Sequence, residues 1–261
     1  MPKNTSGHAH HPNHETVALA HHHGEINKKN TGEFLSDVIL GGQDGLVNTL
    51  GVILGLAAAS SDFRIVVAGG LAGAIAEAVS MGAVGYTSQM AERDYYMSEL
   101  AREDYEIENM PQEEIQEIRE IYEKKGFKGD LLEEVVKVLT SNKKVWLHTM
   151  MREELGLSPV QSNRPLKAAV IIGIASFIGA AIPLIPFLVF YLAKWRFEGA
   201  MTTSVGVALG VSALTLFIVG AIKSKLTVGK WYKSGLQMLV IGIFSALVGY
   251  LIGWAFQLPP V

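Results

Sequence analysis

The sequence predicts an all-α membrane protein with five transmembrane helices and a cytoplasmic helical insert between helices 2 and 3. Two observations support this fold class. Five apolar runs each reach the roughly 20 residues that a helix needs to cross a bilayer. The charge is also uneven: only 18% of the 261 residues are charged, yet residues 92–164 hold 17 of the 25 acids and 11 of the 22 bases. A single water-soluble globule would not concentrate its charge in one central block.

The composition excludes several function classes. The chain has no cysteine, so a disulfide framework, a thiolate zinc site and a cysteine nucleophile are all excluded. Its net charge of -3 provides no basic surface for nucleic acid. The polar N-terminus lacks the apolar core of a secretory signal. We therefore expect an integral, multi-pass membrane protein that is surrounded by lipid and does not bind nucleic acid.

Residues 1–35 are expected to form a disordered cytoplasmic tail, because they are polar and show no helical period. Seven of the eight histidines lie in this tail: His8, His10, His11, His14, His21, His22 and His23. Clustered imidazoles bind transition metals. The alternative is a polar tail that binds metals only loosely.

The first two predicted spans, residues 38–61 and 65–91, form a membrane segment at 36–91, and each contains one acid. The other three spans, residues 168–193, 201–222 and 235–258, lie in a second membrane segment at 166–258. None of these three spans contains a charged residue. Pro183 and Pro186 predict a kink near the end of the third span.

The distribution of basic residues predicts the orientation. Five spans place the two termini on opposite sides of the membrane, and basic residues favour the cytoplasmic side. With the N-terminus in the cytoplasm, the inner segments hold 19 bases and the outer loops hold three, Arg64, Lys194 and Arg196. We therefore expect a cytoplasmic N-terminus and a C-terminus on the opposite side.

Four Gly-x-x-x-Gly spacings let helix backbones approach closely: Gly51/Gly55, Gly69/Gly73, Gly206/Gly210 and Gly249/Gly253. Ordinary packing within the bundle explains them better than a specific dimer seam.

Asp44 and Glu77 are the acids inside the spans. A charge at that depth costs at least about 2.5 kcal/mol, so each is a functional candidate. At about 1.5 Å per residue, Met81 lies at a depth similar to that of Asp44. Glu77 is one turn from Met81, and Asn48 is one turn from Asp44. The carboxylates of Asp44 and Glu77, the thioether of Met81 and the amide of Asn48 are then expected to lie close together. This favours an ion path over the alternative, in which each acid simply pairs with a neighbouring helix.

The insert at residues 92–165 is predicted to contain four helices. The first continues the second span to about residue 107. Pro111 suits the first turn of the next helix, and Asp130 can cap the third after a turn at 126–129. The fourth ends at Gly156.

Acids recur on the helix faces of the insert. The sets Glu99/Glu103/Glu106 and Glu113/Glu114/Glu117/Glu120 repeat at three- and four-residue spacings, so like charges repel unless a cation lies between them. Met150 and Glu154, four residues apart, combine a thioether with a carboxylate, which favours iron or manganese over magnesium or calcium. The alternative is a solvated acidic hairpin without metal.

Three motifs together resemble the vacuolar iron transporter family: Gly-Gly-Gln-Asp-Gly-Leu (41–46), Ser-Met-Gly (80–82) and Trp-x-x-x-Met-Met-x-x-Glu-Leu-Gly-Leu (146–157). The similarity covers roughly residues 33–258. It implies a homodimer with the path between subunits, proton-coupled export of Fe²⁺ and similar ions from the cytosol, and a cytoplasmic metal-binding domain.

Matched motif by motif, the resemblance implies Asp44 and Met81 as path residues. It implies a cytoplasmic ligand set of Glu103, Glu106, Glu114, Glu117, Met150 and Glu154. Plant members carry a glutamate two turns before the methionine; here that position is Gly73, and the acid is Glu77.

We therefore expect a proton-coupled transporter that exports Fe²⁺ from the cytosol, with Mn²⁺ and other divalent transition metals as further candidate substrates. We expect no prosthetic group and no enzymatic activity. The membrane would be the cell membrane in a prokaryote or the vacuolar membrane in a eukaryote. One alternative is a metal-responsive membrane sensor or scaffold without ion flux. A di-iron enzyme is disfavoured, because such sites use Glu-x-x-His pairs that this chain lacks.

Overall fold

The computed structural model describes residues 14–195, 197–226 and 229–257. Within these ranges every regular element is helical and no strand occurs. The helices are α1 (His14–Ala59), α2 (Phe63–Asn109), α3 (Pro111–Lys124), α4 (Gly129–Thr140), α5 (Lys143–Thr149), α6 (Arg164–Leu192), α7 (Ala200–Leu226) and α8 (Trp231–Ala255). A π-helical turn, Met150–Glu154, follows α5 directly.

Five of these helices are long and apolar enough to cross a membrane: Thr31–Ala59 of α1, all of α2, all of α6, Ala200–Ser224 of α7 and all of α8. Five helices of spanning length, each overlapping one of the predicted spans, confirm the predicted number. Pro183 and Pro186 both lie inside α6. Predictions that involve the side chains of residues 1–30, which include all seven histidines of the tail, or that involve Arg196 or Leu258, lie outside the described residues.

The chain forms two compact units. The first contains the chain up to Gly82 and from Val170 onward, and the second contains Ala83–Ala169. Helix α2 belongs to both, because its 47 residues extend over about 70 Å at 1.5 Å per residue, roughly twice the thickness of a bilayer's apolar core.

Glycines allow the helices of the first unit to approach at backbone distance. A Cβ atom on Gly253 of α8 would collide with the carbonyl of Gly55 on α1. Gly249 and Gly51 form a second such crossing between the same helices. These pairs therefore serve packing within the chain, as expected. Gly206, in contrast, has no atom of another residue within 4 Å of a Cβ position.

Helix α1 begins at His14, within residues 1–35, and the disorder of this tail stays a prediction. One local prediction was wrong. Helix α4 begins at Gly129, with Lys128 as the capping residue. Asp130 therefore lies in the first turn and does not cap the helix.

The second unit has its own hydrophobic core. This core consists of Ile107 of α2, Ile118 of α3, Leu132 and Val136 of α4, Trp146 of α5 and Met150 of the π-helical turn. Each helix faces this core with one stripe of apolar side chains, so the acids on neighbouring positions lie at its border or on the surface. Pro111 occupies the first turn of α3, as predicted.

Candidate functional site

Three of the four predicted path residues meet between α1 and α2 in the first unit. Asn48 donates a hydrogen bond from Nδ2 to Oε1 of Glu77 across 2.9 Å. Asp44, one turn before Asn48, lies within hydrogen-bonding reach of both Asn48 and Glu77. Asp44 and Glu77 are half-buried, whereas Asn48 is exposed on the surface of the single chain.

This arrangement has a clear chemical consequence. Two neighbouring carboxyl groups repel each other when both are charged, so a shared proton or a cation between them is favoured. The cost of two bare charges is larger inside a membrane span than in water. The Asp44–Glu77 pair therefore suits a site at which protons and a metal cation compete.

Met81 is half-buried on α2, one turn after Glu77. Residues four apart on a helix lie on the same face, so Met81 is on the Glu77 side of α2.

The glycines that flank Asp44 have a packing role. A Cβ atom on Gly45 would collide with the backbone carbonyl of Ser176 on α6, and Gly41 meets Ile172 in the same way. Their contacts favour packing against α6.

In the second unit, one basic side chain bridges the acids on α2. Nη2 of Arg102 is 2.9 Å from Oε2 of Glu99 and 3.1 Å from Oε1 of Glu103. Its Nε atom is 3.8 Å from Oε2 of Glu106. The like charges that the sequence places on one face are thus held together by an internal cation.

Two of the predicted ligands are buried with unsatisfied oxygens. Glu103 is 1% exposed and Glu114 is 4% exposed. The Oε2 atoms of both lack a hydrogen-bond partner within the described part of the chain. A buried carboxylate oxygen without a partner is costly, and a cation or a proton removes that cost. These acids are therefore unlike those of a fully solvated hairpin.

The electrostatic field of the cluster favours protonation when no cation is bound. Burial, followed by the negative charges of Glu117 and Glu103, raises the pKa of Glu114 to about 7. Partial shielding of its carboxyl from water, followed by the charges of the same two residues, raises the pKa of Glu154 to about 7. Both carboxyls therefore change charge near neutral pH.

The remaining predicted ligands differ in their surroundings. Glu117 is exposed and Glu106 is half-buried. Met150 is fully buried and packs in the hydrophobic core of the second unit. Its side chain therefore contributes to folding, whether or not its sulfur binds a metal.

No three His, Asp or Glu side chains among the described residues are arranged, as they stand, to hold a metal ion. The acids of the second unit instead influence one another through charge: Glu117 and Glu103 affect both Glu114 and Glu154. Small rotations of these side chains would be needed to bring their oxygens around one ion.

Sequence reasoning missed two features of this unit. Arg102 was not identified as a site residue, although its spacing from Glu99 and Glu106 is that of helical ion pairs. The π-helical turn at Met150–Glu154 had no recognisable signal in the sequence; such turns often occur at functional sites.

Comparison with known proteins gives consistent matches over most of the chain. The model of the VIT family matches residues 35–254. "Vacuolar iron transporter 1" of Oryza sativa subsp. japonica is 35% identical over 236 residues, covering 90% of each chain. The protein of the same name from Arabidopsis thaliana is 33% identical over 90% of this chain and 91% of its own. "Vacuolar iron transporter" of Plasmodium falciparum (isolate 3D7) is 34% identical over 88% and 85%, respectively.

Proposed function

Because this chain belongs to the VIT family, we propose that it exports Fe²⁺ from the cytosol across a membrane in exchange for protons. Membrane iron transport follows from the family, whose curated members at this similarity are named as iron transporters. The chain is accordingly a transporter and not an enzyme. The direction of transport, the coupling to protons and the acceptance of Mn²⁺ are our proposals.

The contact between Asn48 and Glu77, with Asp44 beside them, is the observation that carries the proposed mechanism. A metal cation that enters this pair loses part of its water shell and gains carboxylate oxygens. When the cation leaves, a proton can take its place between Asp44 and Glu77, because two adjoining carboxylates need a positive charge. Met81 would add a soft ligand that suits iron and manganese.

The second unit is proposed as a cytoplasmic metal-binding domain that captures the ion first. The proposed ligands are Glu103, Glu106, Glu114, Glu117, Met150 and Glu154. The unpaired buried oxygens of Glu103 and Glu114 support this role, since a divalent cation would satisfy both. Its cytoplasmic location rests on the positive-inside distribution of the basic residues.

A homodimer is proposed because the path residues are incompletely covered by one chain. Asn48 lies in a membrane-spanning helix and is exposed on the single chain. Lipid offers no further hydrogen-bond partner to an amide or a carboxyl group, so exposing this polar face to lipid costs free energy. A second copy that covers this face would enclose the path between the two subunits.

Flux measurements in sealed liposomes test the proposal. Purified full-length protein should carry Fe²⁺ or Mn²⁺, and an opposing pH gradient should accelerate that flux. Asp62→Asn serves as a control for variants of the path, because Asp62 lies in the loop before α2, where its carboxylate accepts a bond from the backbone of Arg64, and asparagine caps helices equally well. No flux for Fe²⁺, Mn²⁺, Co²⁺ or Zn²⁺ would support the alternative of a metal sensor or scaffold.

A further inference from the structure

Arg102 lies inside the acidic cluster of the second unit. We define that cluster as Glu99, Glu103, Glu106, Glu114, Glu117 and Glu154. The guanidinium contacts three of its carboxylates through the ion pairs of 2.9, 3.1 and 3.8 Å described above. Its positive charge also acts on Glu154, across the cluster. The charge of Arg102 thus acts on four of the six acids of the cluster.

The carboxylates that Arg102 bridges include two of the proposed metal ligands, Glu103 and Glu106. Oε1 of Glu103 faces Arg102, while its Oε2 is buried without a partner in the described part of the chain. A divalent ion that used both oxygens of this carboxylate would come within a few ångströms of the guanidinium. Two cations at that distance repel each other, so the ion and Arg102 compete for Glu103.

The two partners differ in their freedom to move. The side chain of Arg102 is 49% exposed, whereas that of Glu103 is 1% exposed. A half-exposed arginine can be rehydrated when it leaves an ion pair, and such pairs are individually weak. Glu103, in contrast, is fixed by its burial. Displacement by a second cation would therefore move Arg102 outward and leave Glu103 in place.

We propose that Arg102 is a built-in counter-cation of the acidic cluster that occupies Glu103 and Glu106 in the metal-free protein and swings into solvent when a divalent ion binds. This inference rests on the proposed capture of metal by the same cluster. Its consequence is that Arg102 sets the metal concentration at which the cluster fills. It also favours divalent over monovalent ions, because only a higher charge displaces an arginine already paired with three carboxylates.

Titration of the purified full-length protein with Mn²⁺ tests the competition. Arg102→Gln should bind Mn²⁺ about tenfold more tightly than the wild type, a change equivalent to about 1.4 kcal/mol. Arg102→Lys should fall between them, because lysine keeps the charge and loses the forked geometry. Arg119→Gln is the matched control, since Arg119 pairs with Glu133 at 2.9 Å, outside the cluster. The Arg119→Gln variant should bind Mn²⁺ with the affinity of the wild type. Unchanged or weaker binding by a folded Arg102→Gln variant would overturn the inference.

Chemical modification of the wild type tests the movement without any substitution. Phenylglyoxal reacts with accessible guanidinium groups, and mass spectrometry reports each modified arginine. Mn²⁺ should accelerate modification of Arg102 several-fold relative to Arg119. Measurable Mn²⁺ binding with unchanged or slower modification of Arg102 would overturn this inference alone. A wild type that binds no Mn²⁺ would overturn the proposed metal capture by the cluster, and the inference with it.

Discussion

Asn48 and Glu77 are joined by a 2.9 Å hydrogen bond between the first two membrane helices. The amide donates to the carboxylate, and Asp44 lies within reach of both groups. One neutral donor therefore faces two acids at a depth where water is scarce. Such a site needs a proton or a metal cation for charge balance, which is the physical basis of the proposed exchange.

Glu77→Gln tests which acid accepts the proton. Glutamine keeps the shape of the side chain and cannot carry the charge. Loss of a charged hydrogen-bond partner costs about 1.5–3 kcal/mol, so we expect a flux of Mn²⁺ at least about tenfold slower. We also expect the remaining flux to be indifferent to a pH gradient. Initial rates in liposomes with and without the gradient provide the comparison. A variant that the gradient still accelerates as much as the wild type would assign the proton to another group.

Binding of Mn²⁺ to the second unit should weaken as the pH falls through 7. The pKa values of Glu114 and Glu154 are both raised to about 7, and a carboxylate must lose its proton before it binds a metal. Each carboxyl should reduce the affinity by up to about tenfold between pH 8 and pH 6. Calorimetry at several pH values measures this slope. Glu114→Gln should flatten it, and Glu133→Gln, outside the cluster, should not.

The same raised pKa values predict the stability of the metal-free protein. A carboxyl whose pKa is higher in the folded state than in the unfolded state favours folding when it is protonated. For Glu114 and Glu154 that contribution is complete below the ordinary pKa of 4.5 and is lost as the pH rises through about 7. Thermal unfolding at pH 6 and pH 8 should therefore show a less stable second unit at pH 8, and Mn²⁺ should restore its stability. Equal stability at both pH values without metal would contradict this expectation.

Replacing Glu114 and Glu117 together by alanine should slow flux at low metal and leave flux at high metal. These acids belong to the proposed capture site and not to the path between α1 and α2, so at high concentration the metal ion can reach the path without them. We expect the metal concentration for half-maximal flux to rise about tenfold or more, with a smaller fall in the maximal rate. Rates measured over a range of Mn²⁺ concentrations separate the two quantities. Complete loss of flux at saturating metal would show that the pair belongs to the path itself.

Gly253→Ala should destabilise the protein, and Gly206→Ala should not. The added methyl group on Gly253 meets the carbonyl of Gly55, while that on Gly206 meets open space. Overpacking of this kind costs about 1–3 kcal/mol. Thermal unfolding in detergent compares the two variants directly. Equal midpoints would mean that α1 and α8 do not pack at backbone distance.

The spans and the acid positions could be predicted because they depend on local features. A run of about 20 apolar residues has few alternatives to a membrane helix, and helical spacing fixes which residues share a face. Asp44, Asn48 and Glu77 were expected together on those grounds. Spacing alone does not determine which of these side chains form a hydrogen bond, and the structure shows that Asn48 of α1 pairs with Glu77 of α2.

The details of the second unit depend on packing between helices, which the spacing of acids does not reveal. Glu114 and Glu117 are one turn apart on α3, yet Glu114 is buried and Glu117 is exposed. The burial of Met150 in the core and the π-helical turn after α5 follow from the neighbouring helices in the same way. The pairing of Arg102 with Glu99, Glu103 and Glu106 likewise depends on how the side chains pack, because several other carboxylates lie near it in the sequence.

The flux of Mn²⁺ through Asp44→Asn tests the central claim most directly. The substitution keeps the shape of the side chain, removes its charge and leaves the second unit unaltered. Initial rates would be measured in liposomes at matched protein density, together with Mn²⁺ binding and with Asp62→Asn as the control. We expect no flux through Asp44→Asn or Asp44→Ala, normal Mn²⁺ binding by the second unit, and near-normal flux through the control. Wild-type flux through Asp44→Asn would contradict the account, because the ion would then not depend on the carboxylate pair between α1 and α2.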